Sequence, residues 1–211
     1  MSKIDTTYWK PFLVSKYFLT EKEGKQVPTG ANVPKLELKE NGNTPRITVT
    51  AVNNGIFGYF DYIGEKPCNY RVYRNFVSVS FLGTVFYQKD EASLDMKVHC
   101  IKPLYHELNT YSGIFLVAAI KASLKNYKYS DQLSSTVLPK LEILLPATPA
   151  GEPDWHYMEM YMRGVEAIVK NKLALLASHK PEVTIKDAET VNFTNANVTY
   201  IDKSTNYNIK K

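Results

Sequence analysis

The chain has few of the residues on which metal sites and disulfide frameworks are built. Its two cysteines, Cys68 and Cys100, form no Cys-x-x-Cys pair and stand at no metal-ligand spacing from His99, His106, His156 or His179. Both are therefore expected as reduced, buried thiols. No apolar run approaches the roughly 18 residues of a membrane span, and the opening "MSKIDTTYWK" lacks the apolar centre of a secretory leader. A cytoplasmic protein with no membrane association is the expectation. Nucleotide-binding and hydrolytic signatures are missing too. "GYFDYIGEK" at 58–66 has the wrong spacing for a phosphate loop, and neither a Gly-x-Ser-x-Gly elbow nor a His-Glu-x-x-His helix occurs. The absence of any Pro-Pro excludes the Pro-Pro-aromatic signature of amino methyltransferases. Asp90, Glu91 and Asp95, flanked by Lys89 and Lys97, come nearest to a nuclease-like cluster. On a strand-to-strand loop such a run reads first as solvated surface. Nothing here obliges an enzyme.

What the chain does have is a core and many aromatic rings. Hydrophobic residues make up 44% of its 211 residues, and Tyr 15 and Phe 9 supply rings with and without a polar tip. One domain of about 150 residues with an appendage is the natural division. Net charge is +5 with a pI near 9.0. The positive excess falls in residues 1–153, which permits nucleic-acid binding by the domain without demanding it.

Alternation marks the strands. In "TPRITVTAVNNGIFGYFDYI", 44–63, Ile47, Val49 and Ala51 alternate with threonines, and Asn54-Gly55 supplies residues that tolerate the positive φ of a tight hairpin. "FVSVSFLGTVFYQKD", 76–90, predicts a second pair, with Val77, Val79 and Phe81 on one face and a bulge or a close backbone approach at Gly83. "MKVHCIKPL", 96–104, reads as a strand stopped by Pro103, with His99 a satisfied core histidine. Helical spacing takes over in "GIFLVAAIKASLK", 113–125, with Lys121 and Lys125 opposite its apolar side. "LPKLEILLP" returns to strand. The fold class predicted is α+β: a strand-rich domain over 1–150, one long helix over 151–180, and a polar tail over 181–211 in which a hairpin is conceivable.

The long helix has its own logic. Pro153 suits a first helical position and Asp154 and Glu159 suit the positive end of the helix dipole. Trp155, Met158, Met162, Val165, Val169 and Leu176 follow one another at coiled-coil steps, interrupted where Lys172 falls on the seam. A second stripe joins Tyr161, Ile168 and Leu175. Two apolar faces predict more than one packing neighbour, and these nine residues are the candidate partner or dimer surface. Trp155 also reads as an anchor against the domain, and the methionines as filler.

Four stretches, in order, resemble the target recognition domains of type I restriction–modification specificity subunits. They are "YWKPFLVSKYFLT" at 8–20, "PRITVTAVNNGIFGYF" at 45–60, "FVSVSFLGTVFYQKD" at 76–90 and "LPKLEILLPATPAGEPDWHYMEMYM" at 138–162. The resemblance implies a non-catalytic subunit that reads double-stranded DNA. The helix would be a spacer between recognition domains and a dock for a methyltransferase subunit, with a restriction subunit as a further partner. It also implies that S-adenosylmethionine, and ATP and Mg where cleavage is driven, belong to those partners. The family's full subunits carry two domains and two helices, so a single pair implies a homodimer on a symmetric, interrupted site. The alternative is an interaction module that docks through its helix and regulates a restriction complex without touching DNA.

DNA recognition asks for cations against phosphates and hydrogen-bonding side chains at base edges. The candidates are Asn53 and Asn54 in the turn, Arg71 and Arg74 in "YRVYRNF", and Tyr87, Gln88 and Lys89 at a strand end. Lys121, Lys125, Tyr127, Lys128 and Tyr129 in "KASLKNYKYSDQ" complete the set.

Overall fold

The computed structural model describes residues 4–66, 70–126 and 133–178, with the short strands Tyr200–Ile201 and Asn208–Ile209. It divides into two compact units, Met1–Lys170 and Asn171–Lys211. The first holds β1 (Trp9–Leu13), α1 (Val14–Tyr17), β2 (Leu38–Ile47), β3 (Ile56–Tyr62), β4 (Val72–Tyr73), β5 (Phe76–Ser80), β6 (Val85–Gln88), β7 (Ala92–Leu94), β8 (Val98–Ile101), α2 (Thr110–Ser123), β9 (Glu142–Pro146) and the start of α3 (Trp155–Ser178). β1 and β9 pair antiparallel. A three-stranded antiparallel sheet has the order β6-β5-β8, and a four-stranded sheet the order β3-β2-β7-β4. Strand-rich with segregated helices, this is the α+β arrangement expected.

β5 explains how two cores share one sheet. Every residue of "FVSVS" is buried. Val77 and Val79 join Phe12, Ile101, Leu116, Ile120, Ile143 and Met158 in the main core. Phe76, on the opposite face, joins Ile47, Leu94, Val98 and Cys100 in a smaller one. Alternation at period two thus serves two apolar surfaces instead of one wet and one dry. Phe81 does not continue the strand; it stands in the β5–β6 turn, where the Lys97 ammonium lies 4.6 Å from its ring. Gly83 is the turn glycine (φ +81°), not a bulge: its N–H donates to the Ser80 carbonyl, while the Ser80 hydroxyl oxygen accepts from the Leu82 and Thr84 N–H groups.

α2 begins three residues before its periodicity suggests because Asn109 caps it. The Asn109 side-chain oxygen accepts from the Tyr111 and Ser112 N–H groups, and the Ser112 hydroxyl oxygen accepts from the Asn109 N–H. Phe115, Leu116, Ala119 and Ile120 face inward from it. At the start of α3, Asp154 is the cap, its carboxylate accepting from the Tyr157 N–H at 2.9 Å. Pro153 therefore stands one residue before the cap, bridged to Ala147, and not at the first helical position.

The first turns of α3 are committed to the chain's own domain. Met158 is 0% exposed, and Trp155, Tyr161 and Met162 pack on the same core. The Trp155 ring lies parallel to His106 at 4.7 Å, and Tyr161 meets Phe115 edge-on. Polar contacts to α2 follow the same side: Asn109 donates to Glu159, the Tyr111 hydroxyl donates to Glu166, and the Arg163 guanidinium sits 4.2 Å from the Tyr111 ring centre. Met158 is thereby corrected from partner surface to core, since a side chain sealed among core residues offers nothing outward. Val165 is half-buried, and Ile168 and Val169 are exposed. In the second unit the helix residues Leu173, Leu175 and Leu176 are exposed, and Tyr200–Ile201 pairs antiparallel with Asn208–Ile209.

Candidate nucleic-acid interface

β2 ends at Ile47, so the expected tight hairpin is instead an eight-residue loop, 48–55, closed by Thr48 donating to the Gly55 carbonyl. Asn53, Asn54 and Gly55 have φ of 48°, 53° and 79°, three consecutive left-handed residues. Asparagine tolerates that region and glycine is free in it, which is the physical reason for "NNG" here. The turn is then bolted down from below. Gln88 is only 4% exposed. Its amide nitrogen donates to the Asn54 carbonyl and the Ser78 hydroxyl, and its amide oxygen accepts from the Asn54 side chain. Asn54 also donates to the Tyr87 carbonyl, and Asn53 to the Ile56 carbonyl. A Cβ on Gly55 would come within 3.1 Å of Ile47 and 3.2 Å of Phe86, so the backbone itself rests on the core.

Two sequence candidates change role as a result. Gln88 is a buried support beneath the turn and does not face solvent. Asn54, although exposed, has its side-chain nitrogen engaged twice, donating to the Tyr87 carbonyl and to the Gln88 amide oxygen. What the turn holds outward is Ala51, Val52 and Asn53, all exposed, with Val52 at 70%. A cation stands beside this platform: the Lys121 ammonium of α2 lies 5.5 Å from the Phe86 ring centre, and Phe86 packs on Gly55. Lys125 is exposed one turn further on. Tyr127, Lys128 and Tyr129 lie outside the described residues.

The structure separates the two arginines that the sequence groups. Arg71 is paired with Glu21 at 2.9 Å. Arg74 instead lines a groove of about 600 Å³ with Lys89, Tyr87 and Lys102. The Tyr87 ring lies against α2, where a side chain on Gly113 would come within 2.5 Å of it, and its hydroxyl donates to Asn75. Burial, with Asp90 and Glu107 adding, raises the Tyr87 pKa. Sequence reasoning missed Lys102 because it sits beside an apolar strand, and only the sheet order brings it next to Arg74. The exposed aromatic pair Phe57 and Tyr59, 71% and 51% exposed on edge strand β3, was given no role from the sequence. Of the acidic trio, Asp95 is tied to buried Arg46 at 2.9 Å and accepts from the Met96 N–H, while Asp90 and Glu91 are exposed. Among the described residues no group of three His, Cys, Asp or Glu could hold a metal ion.

The family model of the Type I restriction modification DNA specificity domain matches residues 25–177. The chain belongs to this family. The specificity subunit S.BcgI of a type II restriction enzyme from Heyndrickxia coagulans is 27% identical over 161 residues, covering 75% of this chain and 43% of that subunit. The solved HsdS subunit from Thermoanaerobacter tengcongensis matches 86% of the chain with a TM-score of 0.52 at 11% identity. The type I S subunit from M. genitalium matches 83% with a TM-score of 0.53 at 14% identity. A further chain, from a type I R-M system solved for its complex assembly, reaches a TM-score of 0.56 at 12% identity. At such identities the likeness to these structures is one of fold. This specificity domain spans less than half the length of each of these relatives, 42% to 43%. No helix among the described residues is long and apolar enough to cross a membrane.

Proposed function

We propose that this specificity domain binds double-stranded DNA in a sequence-dependent way and directs a partner methyltransferase, and a restriction subunit where one is present, to its site. Catalysis, with S-adenosylmethionine, ATP and Mg, then belongs to those partners, and the chain acts in the cytoplasm. The observation that carries the reading is the locked Asn53–Gly55 turn. It presents Ala51, Val52 and Asn53 as a rigid tip beside the Lys121 ammonium, and base readout needs such preorganised side chains next to a phosphate-seeking cation. Family membership supports it independently. Pairing with a second copy through α3 is part of the proposal. It is supported by outward-facing Ile168 and Val169, both exposed apolar residues.

Enrichment from a library of randomised duplexes tests the reading. The unaltered chain is expected to select one recurring short sequence, with affinity falling steeply as salt rises because phosphate contacts release counterions. Replacing both Ala51 and Val52 with Asp should abolish the enrichment without lowering the melting temperature, since neither side chain is buried. A chain that enriches nothing at any salt concentration is not a DNA reader.

A further inference from the structure

The order β6-β5-β8 brings together three residues that the sequence keeps far apart. In the register of this sheet Phe76 pairs with Gln88, and Val77 pairs with Ile101. Lys89 follows Gln88, Lys102 follows Ile101, and Arg74 lies two residues before Phe76. All three cations therefore emerge at the same end of the sheet, on neighbouring strands, and they line one groove with Asn75, Tyr87, Glu107 and Asn109.

The groove's internal bonds sort its charges. Lys102 is already engaged: its ammonium donates to the Arg74 carbonyl at 3.1 Å and pairs with Glu107 at 3.4 Å. Asn75, held at a φ of 57°, donates to the Glu107 carboxylate and the Leu108 carbonyl, each at 2.7 Å, and accepts from the Tyr87 hydroxyl. The Asn75 hydrogen bond, with Lys102 assisting, lowers the Glu107 pKa, so that group stays an anion and is used up within the wall. Arg74 and Lys89 make no side-chain hydrogen bond or ion pair among the described residues. They are left with donors and charge but no protein acceptor, on the rim of a groove whose floor is rigid.

We propose that this groove seats a backbone phosphate of bound DNA, held by Arg74 and Lys89, with Lys102, Asn75 and Glu107 as positioning residues. The inference rests on the DNA-binding reading above and adds to it a fixed backbone anchor. Tyr87 ties the two regions together, since its carbonyl accepts from Asn54 of the turn and its ring and hydroxyl wall the groove. An oxyanion fits better than any cation or apolar ligand, because two unneutralised positive groups outnumber an acid that is already occupied. Arg74 can present two parallel N–H donors to one phosphate, and Lys89 supplies a point charge.

The test is duplex affinity as a function of potassium chloride, on a random-sequence duplex, with the full chain. Replacing both Arg74 and Lys89 with Ala should lower the slope of log affinity against log salt by roughly 0.9, the value for one phosphate no longer neutralised. Replacing Lys22 and Lys39, exposed and outside the groove, removes the same charge and should leave the slope nearly unchanged. An equal drop in both double variants would mean that only net charge counts, and would overturn the anchor. So would an unchanged slope in the Arg74 and Lys89 variant while the unaltered chain binds duplex normally. Failure of the unaltered chain to bind duplex even at low salt would instead strike down the DNA reading itself, and the anchor with it. A parallel titration with inorganic phosphate, followed at the Arg74 side-chain N–H by NMR, separates the sources of phosphate. Tight saturation there, with duplex binding unaffected, would make this a free-phosphate pocket and refute the DNA assignment. Both variants are expected to melt with the unaltered chain, because neither Arg74 nor Lys89 holds the fold together.

Discussion

Among single residues, His99 has the most legible chemistry. Its Nε2 lies 2.9 Å from the Leu133 carbonyl, which can only accept, so that nitrogen carries the proton and Nδ1 is left to accept from the Thr29 hydroxyl at 2.8 Å. Burial lowers its pKa to about 4, against the opposing pull of the Leu133 carbonyl. Between that value and the ordinary value near 6.5 the unfolded chain binds a proton that the folded chain refuses. Stability from this group is complete above pH 6.5 and is lost as pH falls towards 4, by up to about 3 kcal/mol. Thermal melting at pH 7 and pH 4.5 should show this decline, and His99→Gln should flatten part of it; an unchanged difference would remove His99 as its source. The sequence placed this histidine in the core because it lies within a strand pattern. It misplaced Gln88, which stands at a strand end where readers often stand. Nothing in residue type says that the amide turns inward to satisfy Asn54 and Ser78, because that depends on β6 lying under a loop far earlier in the chain.

At the scale of elements, the strands and helices were legible wherever a period held, and their ends were not. α2 was found from Phe115, Leu116, Ala119 and Ile120 but started late, because its cap is Asn109 with Ser112 and a capping box has no apolar period. α3 was read as one seam from Trp155 to Leu176. A seam cannot show which neighbour it faces, and here its first half packs on α2 and the main core. Met158→Ala is accordingly expected to cost about 2–5 kcal/mol, whereas Ile168→Ala, on the exposed stretch, should change stability by less than about 0.5 kcal/mol. Urea unfolding of the two variants checks the contrast. Equal effects would show that the base of the helix is not anchored as described. The β2–β3 loop was foreseen as a turn by its Asn-Gly pair, yet its length was not, since Val49 and Ala51 continue an alternation that pairs with nothing.

For the whole molecule, the family and the α+β architecture could be recognised from four short stretches spread over the chain. The candidate interface could not, because it is assembled by sheet order. Arg71 and Arg74 are three residues apart and serve different partners, while Arg74, Lys89 and Lys102 are distant in sequence and share a groove. Pairing through α3 is a statement about mass. Light scattering on the unaltered chain should give twice the chain mass, and replacing Ile168 and Val169 with Asp should halve it. A single mass in both would assign those residues to a different chain.

One consequence of the buried Gln88 clamp concerns heredity. The residues that fix the 48–55 loop, Gly55, Asn54, Gln88 and Ser78, are separate from the residues at its tip, Ala51 and Val52. Mutation can therefore rewrite the tip without a folding penalty, and under the proposed reading a lineage carrying this loop would be free to drift from one target to another while its scaffold stays intact.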